Sequence, residues 1–179
     1  MNAKLINEGL KFGAVGGLLF LLINYGAWGM GSTNTFVSVI SISSFIPYMI
    51  AMLIIVGFSL RKANNNILTF QQALKFAFVA YIIAAIIEAV GNYVLYNFLD
   101  HDLTAKVFEI SRNKALKILQ QVGATDQQID ETMKKMDADT KQTTLKNVIL
   151  GLGLALVWGF CKALLISLVI RKEEKFGDA

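Results

Sequence analysis

FAFVAYIIAAIIEAVGNYVLYN, residues 76–97, is the stretch on which the reading of this chain turns. It is apolar over a length that crosses the hydrocarbon of a bilayer, for which about 20 residues of helix suffice. Its one charge, Glu88, sits at the centre. A charged group at that depth costs at least ~2.5 kcal/mol, so such a residue faces the interior of the helix assembly and has a partner there. At 100° per residue Ala77, Ala80, Ala84, Glu88, Gly91 and Asn92 fall in one sector of the helix. A carboxylate on a face of small residues points at neighbouring helices rather than at lipid.

Three further segments have spanning length. The first covers residues 10–30, with Lys4 and Lys11 near its start. A signal peptide is the rival reading there, because Ala27-Trp28-Gly29 has a small-x-small form. The apolar run exceeds the ~7–15 residues of a signal-peptide core, which selects a transmembrane helix. Gly9, Gly13 and Gly17 recur every fourth residue and let a second helix approach closely, and Asn24 falls on the same face. No strand precedes these glycines and no Lys-Ser/Thr follows, so they are not a phosphate loop. The second segment, residues 36–60, ends at Arg61-Lys62 and contains Pro47. Proline removes a helix hydrogen bond and predicts a kink, with Ser43 and Ser44 one turn earlier to satisfy the freed backbone. The last segment, residues 148–170, carries Lys162 on or near a ladder of Gly151, Ala155, Gly159 and Ala163.

Between the third and fourth segments lies a different chemistry. Asp100–Lys146 holds eight Lys/Arg and eight Asp/Glu. Asp102 is positioned to cap a helix whose apolar positions include Val107, Phe108, Ala115, Leu119 and Val122, stopped by Gly123. Thr125 and Gln128 form a capping box before Ile129, Met133 and Met136. The expected product is a helical hairpin. A second capping box, Thr69 with Gln72, starts the third span early and leaves Lys75 at the interface.

The 179 residues make room for one domain, residues 1–179, with 55% hydrophobic and 17% charged side chains. Mean hydropathy is +0.53. These values belong to a membrane protein rather than a soluble domain. The net charge of +4 does not signify nucleic acid, because no basic patch interleaved with aromatics is present. The positives cluster instead at segment ends. Lys4, Lys11, Arg61, Lys62, Lys75, Arg171, Lys172 and Lys175 share one side if four spans alternate. The positive-inside rule then puts both termini in the cytoplasm, with the hairpin outside. The fold class expected is an all-α integral membrane four-helix bundle with an extracytoplasmic helical hairpin inserted between its third and fourth helices.

Glu88 and Lys162 are the only charges deep in apolar segments. Counted from the cytoplasmic ends, they lie about 18 Å and about 12 Å up at 1.5 Å per residue. A lysine stem spans that offset, so the two are expected to approach, directly or through a water, with Asn24 and Asn92 completing an intramembrane polar centre. The alternative is that Lys162 snorkels toward the headgroups and Glu88 stays protonated.

The residues Thr69-Phe70-Gln71-Gln72-Ala73-Leu74-Lys75 and Tyr96-Asn97-Phe98-Leu99-Asp100-His101-Asp102 also form a recognisable pattern. The chain resembles the domain-of-unknown-function family 4199, small four-helix membrane proteins mostly of Bacteroidota. That family starts its third helix with T/S-F-x-x-A-F/L-K and leaves it through a Y-x-F-I-D-P-D-like turn. Asp126-Gln127-Gln128-Ile129 looks like its short loop helix. The resemblance covers nearly the whole chain and implies the architecture, with no activity attached.

Catalytic constellations are missing from the sequence. His101, the only histidine, lies in the exit turn, where a helix start at Asp102 explains it better than a metal site, which needs more ligands. No serine or cysteine has a second histidine as base. Cys161, the only cysteine, permits no intrachain disulfide and reads as packing beside Lys162. The chain is therefore expected to be no enzyme and to need no cofactor and no metal. Its partners are the lipid bilayer and a second copy or another membrane protein. A structural or partner-binding role comes first. The alternative is a small transporter or ion-path subunit using Glu88 and Lys162. A water-accessible cavity reaching Glu88 reverses that order.

Overall fold

The computed structural model describes residues 2–139 and 145–173. Residues 140–144 of the charged loop, and Lys175 among the flanking positives, lie outside them. The described residues form α1 (Asn2–Gly29), α2 (Thr33–Phe45), α3 (Tyr48–Ala63), α4 (Phe70–Val94), α5 (Leu103–Gln121), α6 (Asp126–Asp139) and α7 (Leu145–Ile170). α4 continues into a π-helical turn at Leu95–Leu99. Four stretches are helical, long and apolar enough to cross a membrane: Ala3–Gly29, Thr33–Ala63, Phe70–Leu99 and Asn147–Ile170. Each is at least slightly longer than its apolar core, because turns and caps extend it toward water.

Local chemistry sets the element ends. Ser32 Oγ accepts from the Thr35 amide and starts α2. At α4 the capping box closes in both directions: Gln72 N–H donates to Thr69 Oγ1 at 3.4 Å, and Thr69 N–H donates to Gln72 Oε1 at 3.1 Å. The same reciprocal pair forms between Thr125 and Gln128 at the start of α6. Gly123 has φ +73° between α5 and α6, a conformation that suits glycine. Asp102 does stand at the N-cap of α5, but its side chain makes no capping bond. It sits at φ −84°, ψ −11°, already in the helical region, whereas side-chain caps need extended backbone there.

The second span is broken rather than kinked. Ile46 is extended, at φ −84° and ψ 113°, and α3 begins anew after Pro47. Proline disfavours helical backbone in the residue before it, which accounts for Ile46. The Ser43 carbonyl, which a continuous helix would bond to residue 47, accepts from the Ile46 amide at 3.1 Å instead. Ser43 Oγ turns back to the Ile40 carbonyl and plays no part in the repair.

α4 lies between α1 and α7 and packs most extensively against both. Along α1, Gly9, Gly13 and Gly17 meet Phe76, Ala80 and Ala84 in turn, so the two helices run parallel. An added Cβ on Gly13 would lie 2.5 Å from the Ala80 carbonyl oxygen, which leaves no room for any larger residue. α7 runs antiparallel to α4, with Phe78 and Phe160 edge to face at 5.2 Å. α3 closes the remaining side: Gly16 of α1 faces Met49, and Gly57 faces Ile170 of α7. The core that results includes Leu53, Phe76, Ala80, Ala163 and Ile166, each at most 1% exposed. Large apolar residues such as Leu22, Ile55, Val90 and Leu154 are exposed on the outside, as a lipid-facing surface requires.

Both ends are tied. At one, Leu68 and Lys172 exchange two backbone hydrogen bonds of 2.8 Å, and Arg61 donates to the Ile170 carbonyl at the end of α7. Asn65 and Asn66 turn the chain there in left-handed backbone, which asparagine tolerates. At the other end a second core gathers Ala27, Phe36, Val37, Leu95 and Leu103. Trp28 Nε1 donates to Asp100 at 3.2 Å, and Lys106 pairs with the same carboxylate. α5 thereby rests on α2, and α6 folds back on α5 with an Arg112–Asp137 ion pair of 3.1 Å.

Candidate functional site

Beyond Gly159, toward its start, α7 no longer follows α4. Gly159 still touches the Tyr81 side chain, and Ala163 is fully buried one turn below. Gly151 faces open space and Ala155 is exposed. The expected Gly151–Ala155–Gly159–Ala163 contact ladder is thus realised only in its second half. Small-residue spacing permits close approach without supplying a neighbour, and the space opposite Ala155 is a cavity.

That cavity has a volume of about 460 Å³. α1 contributes Phe20 and Ile23, and α4 contributes Tyr81, Ala84, Ala85 and Glu88. The α2–α3 break supplies Ser43, Ile46, Pro47 and Tyr48, and α7 supplies Ala155, Trp158, Gly159 and Lys162. Pro47 therefore does more than bend a helix: it turns the break into a wall. The volume lies within the ~300–1,000 Å³ range of small-molecule sites, and the make-up is typical of them, apolar walls with a few convergent polar groups.

Glu88 and Lys162 both line this space, but no ion pair closes between them; the ion pairs among the described residues lie elsewhere. Lys162 Nζ stands 5.9 Å from the centre of the Tyr81 ring. Tyr81 precedes Glu88 by seven residues, about 10 Å along the helix. The direct ion pair that their similar depths allowed is not closed, and the Lys162 ammonium stands beside the Tyr81 ring instead. Glu88 is half-buried near the middle of its span, whereas Lys162 is exposed. The Tyr81 hydroxyl is buried and has no hydrogen-bond partner among the described residues.

The two asparagines do not join them. Asn24 is buried on α1, and its amide donates to the Phe20 carbonyl one turn back, so its polarity is satisfied within its own helix. Asn92 is half-buried one turn beyond Glu88 and is not a wall of the cavity. Gly13 and Gly17 serve the α1–α4 contact as described above. Cys161 is exposed beside Lys162.

Tyr48, Tyr81 and Trp158 were not singled out by their sequence context. A signal for two of them existed: Tyr81 is two turns before Glu88, and Trp158 one turn before Lys162, so helical periodicity puts each beside a deep charge. Tyr48 had none, since its place depends on the break at Pro47.

Taken together, the described residues define an all-α protein with four stretches long and apolar enough to cross a membrane and a cavity lined by both deep charges. The family described as "Protein of unknown function (DUF4199)" matches residues 9–172, and the chain belongs to it. No curated protein and no solved structure matches the chain.

Proposed function

We propose that this protein binds a small polar or charged solute, or passes an ion, at the cavity between α1, the α2–α3 break, α4 and α7. The observation that carries the reading is that a space of about 460 Å³ reaches both Glu88 and Lys162. Ionisable residues within spans mark pathways or ligand counter-charges by default. Structural pairs close on each other; these two leave room between them. The solute-path reading therefore ranks above the assembly role that the sequence put first. It involves no catalysis and no cofactor. The partners are lipid and, for a complete path, a second copy, since four helices from one chain make a thin wall.

One observation favours partner binding as a second reading. Ile118 and Val122, one turn apart at the tip of α5, are 59% and 71% exposed. An apolar tip on a charged hairpin is a surface for lipid or protein.

The site is tested by thiol accessibility. In a Cys161→Ala background, Ala85→Cys on the cavity wall is expected to react with a small hydrophilic methanethiosulfonate in native membranes. Val90→Cys, 59% exposed on the outer surface of α4, is expected to react at least ~10-fold more slowly, because hydrocarbon suppresses the thiolate. Equal, negligible rates at both positions would mean a dry cavity, and the reading would be withdrawn.

We further propose a bacterial inner-membrane topology with both termini cytoplasmic and the α5–α6 hairpin outside. Support comes from the flanking positives, with Arg61, Lys62, Lys75, Arg171 and Lys172 close to the tied end at Leu68. Single cysteines at Ser32 and Gln127 are expected to label from outside in intact cells, and one at Asn65 only after lysis. Labelling of Asn65 alone in intact cells reverses the topology.

A further inference from the structure

Resting on the cavity reading, we propose that the ligand is an amphipathic zwitterion, with its cationic end at Glu88, its anionic end at Lys162 and its apolar part against Trp158 and Ile46. One carboxylate and one ammonium line a single cavity without forming an ion pair. A ligand with one charge would answer only one of them and leave the other without a counter-charge at hydrocarbon depth, a costly arrangement. A ligand with both charges answers each.

Geometry narrows the class. Lys162 Nζ is held near the Tyr81 ring, 5.9 Å from its centre. Glu88 is about 10 Å further along α4, and its side chain leans back toward the helix start, hence toward Tyr81. The gap between the charges is therefore several ångströms. That suits the separated charges of a phosphate–ammonium headgroup better than the adjacent charges of an α-amino acid. The rest of the wall is apolar: Trp158 is 63% exposed and Ile46 55% exposed, so the cavity borders the lipid-facing surface at both. The same chemistry is offered by a free solute and by the headgroup of a membrane lipid.

The test uses the full chain in nanodiscs of phosphatidylglycerol and follows tryptophan fluorescence and melting temperature. The probes are glycerophosphocholine and its two charged halves, choline and glycerol phosphate. Glycerophosphocholine is expected to bind at least ~10-fold more tightly than either half. Glu88→Gln and Lys162→Met should each weaken it by a similar factor, and the charge exchange Glu88→Lys with Lys162→Glu should recover most of the loss. The exchange keeps the test meaningful should a single variant fail to fold. Repeating the titration in phosphatidylcholine nanodiscs separates the sources: lost binding identifies a lipid headgroup as occupant, unchanged binding a free solute. Choline or glycerol phosphate binding as tightly as the zwitterion would overturn the proposal and leave solute binding standing. No response to any probe, with Ala85→Cys still reactive, overturns the zwitterion alone; an unreactive Ala85→Cys removes both readings.

Discussion

Gly13→Leu is expected to destabilise the protein by about 3 kcal/mol or more, the upper end of what overpacking costs. The reason is that the first added atom already fails to fit. A Cβ on Gly13 would stand 2.5 Å from the Ala80 carbonyl oxygen and 2.9 Å from its Cα, both backbone of the helix at the centre of the fold. No rotamer relieves such a clash; α1 and α4 have to separate. Close van der Waals packing is the main attraction between helices in lipid, where the hydrophobic effect no longer drives them together. Gly151→Leu is the matched control. Nothing stands within 4 Å of its added Cβ, and the expected change runs from none to a gain of about 1 kcal/mol, because leucine is the better helix former. Unfolding of both variants in the same detergent or bilayer measures the difference. Equal losses would show that the Gly151 face has a neighbour in the membrane, which would point to a second copy of the chain.

The second large effect is expected at Pro47, and there stability and accessibility should move apart. Pro47→Ala restores a backbone donor and removes the restriction on Ile46, in favour of helix by up to about 3 kcal/mol. The donor would compete for the Ser43 carbonyl, which the Ile46 amide now occupies. α2 and α3 then merge into one straight helix across Thr33–Ala63, and Ile46 and Tyr48 rotate away from the cavity. The melting temperature should hold or rise, while the reaction rate of Ala85→Cys in the Cys161→Ala background falls at least ~10-fold. An unchanged rate would mean that packing around Met49 and Leu53, rather than the proline, maintains the break.

The small residues of α1 (Gly9, Gly13, Gly17) and of α7 (Gly151, Ala155, Gly159, Ala163) share a four-residue spacing, yet the first set is sealed against α4 and the second only from Gly159 on, with a cavity at Ala155. Spacing records which surfaces permit close approach; only the partner's position makes a contact of it. Asn24 and Asn92 illustrate the same limit. Both have the right helix face for a polar centre, but Asn24 satisfies itself on the Phe20 carbonyl, an option that no sequence pattern distinguishes from a contact across helices.

What water and hydrocarbon impose locally is legible in the residues alone: four apolar stretches of spanning length, the capping boxes at Thr69 and Thr125, the turn at Gly123, the break-prone Pro47 and the family. Each follows from lengths, periodicities or backbone chemistry within a few residues. The tertiary structure alone decided that Glu88 and Lys162 face a shared space without meeting. The positions of their charged ends depend on how far α7 diverges from α4 past Tyr81 and on the direction α3 takes after Pro47. Both are sums of packing between residues far apart in the chain, and a separation of a few ångströms between helices leaves a cavity where an ion pair would otherwise close.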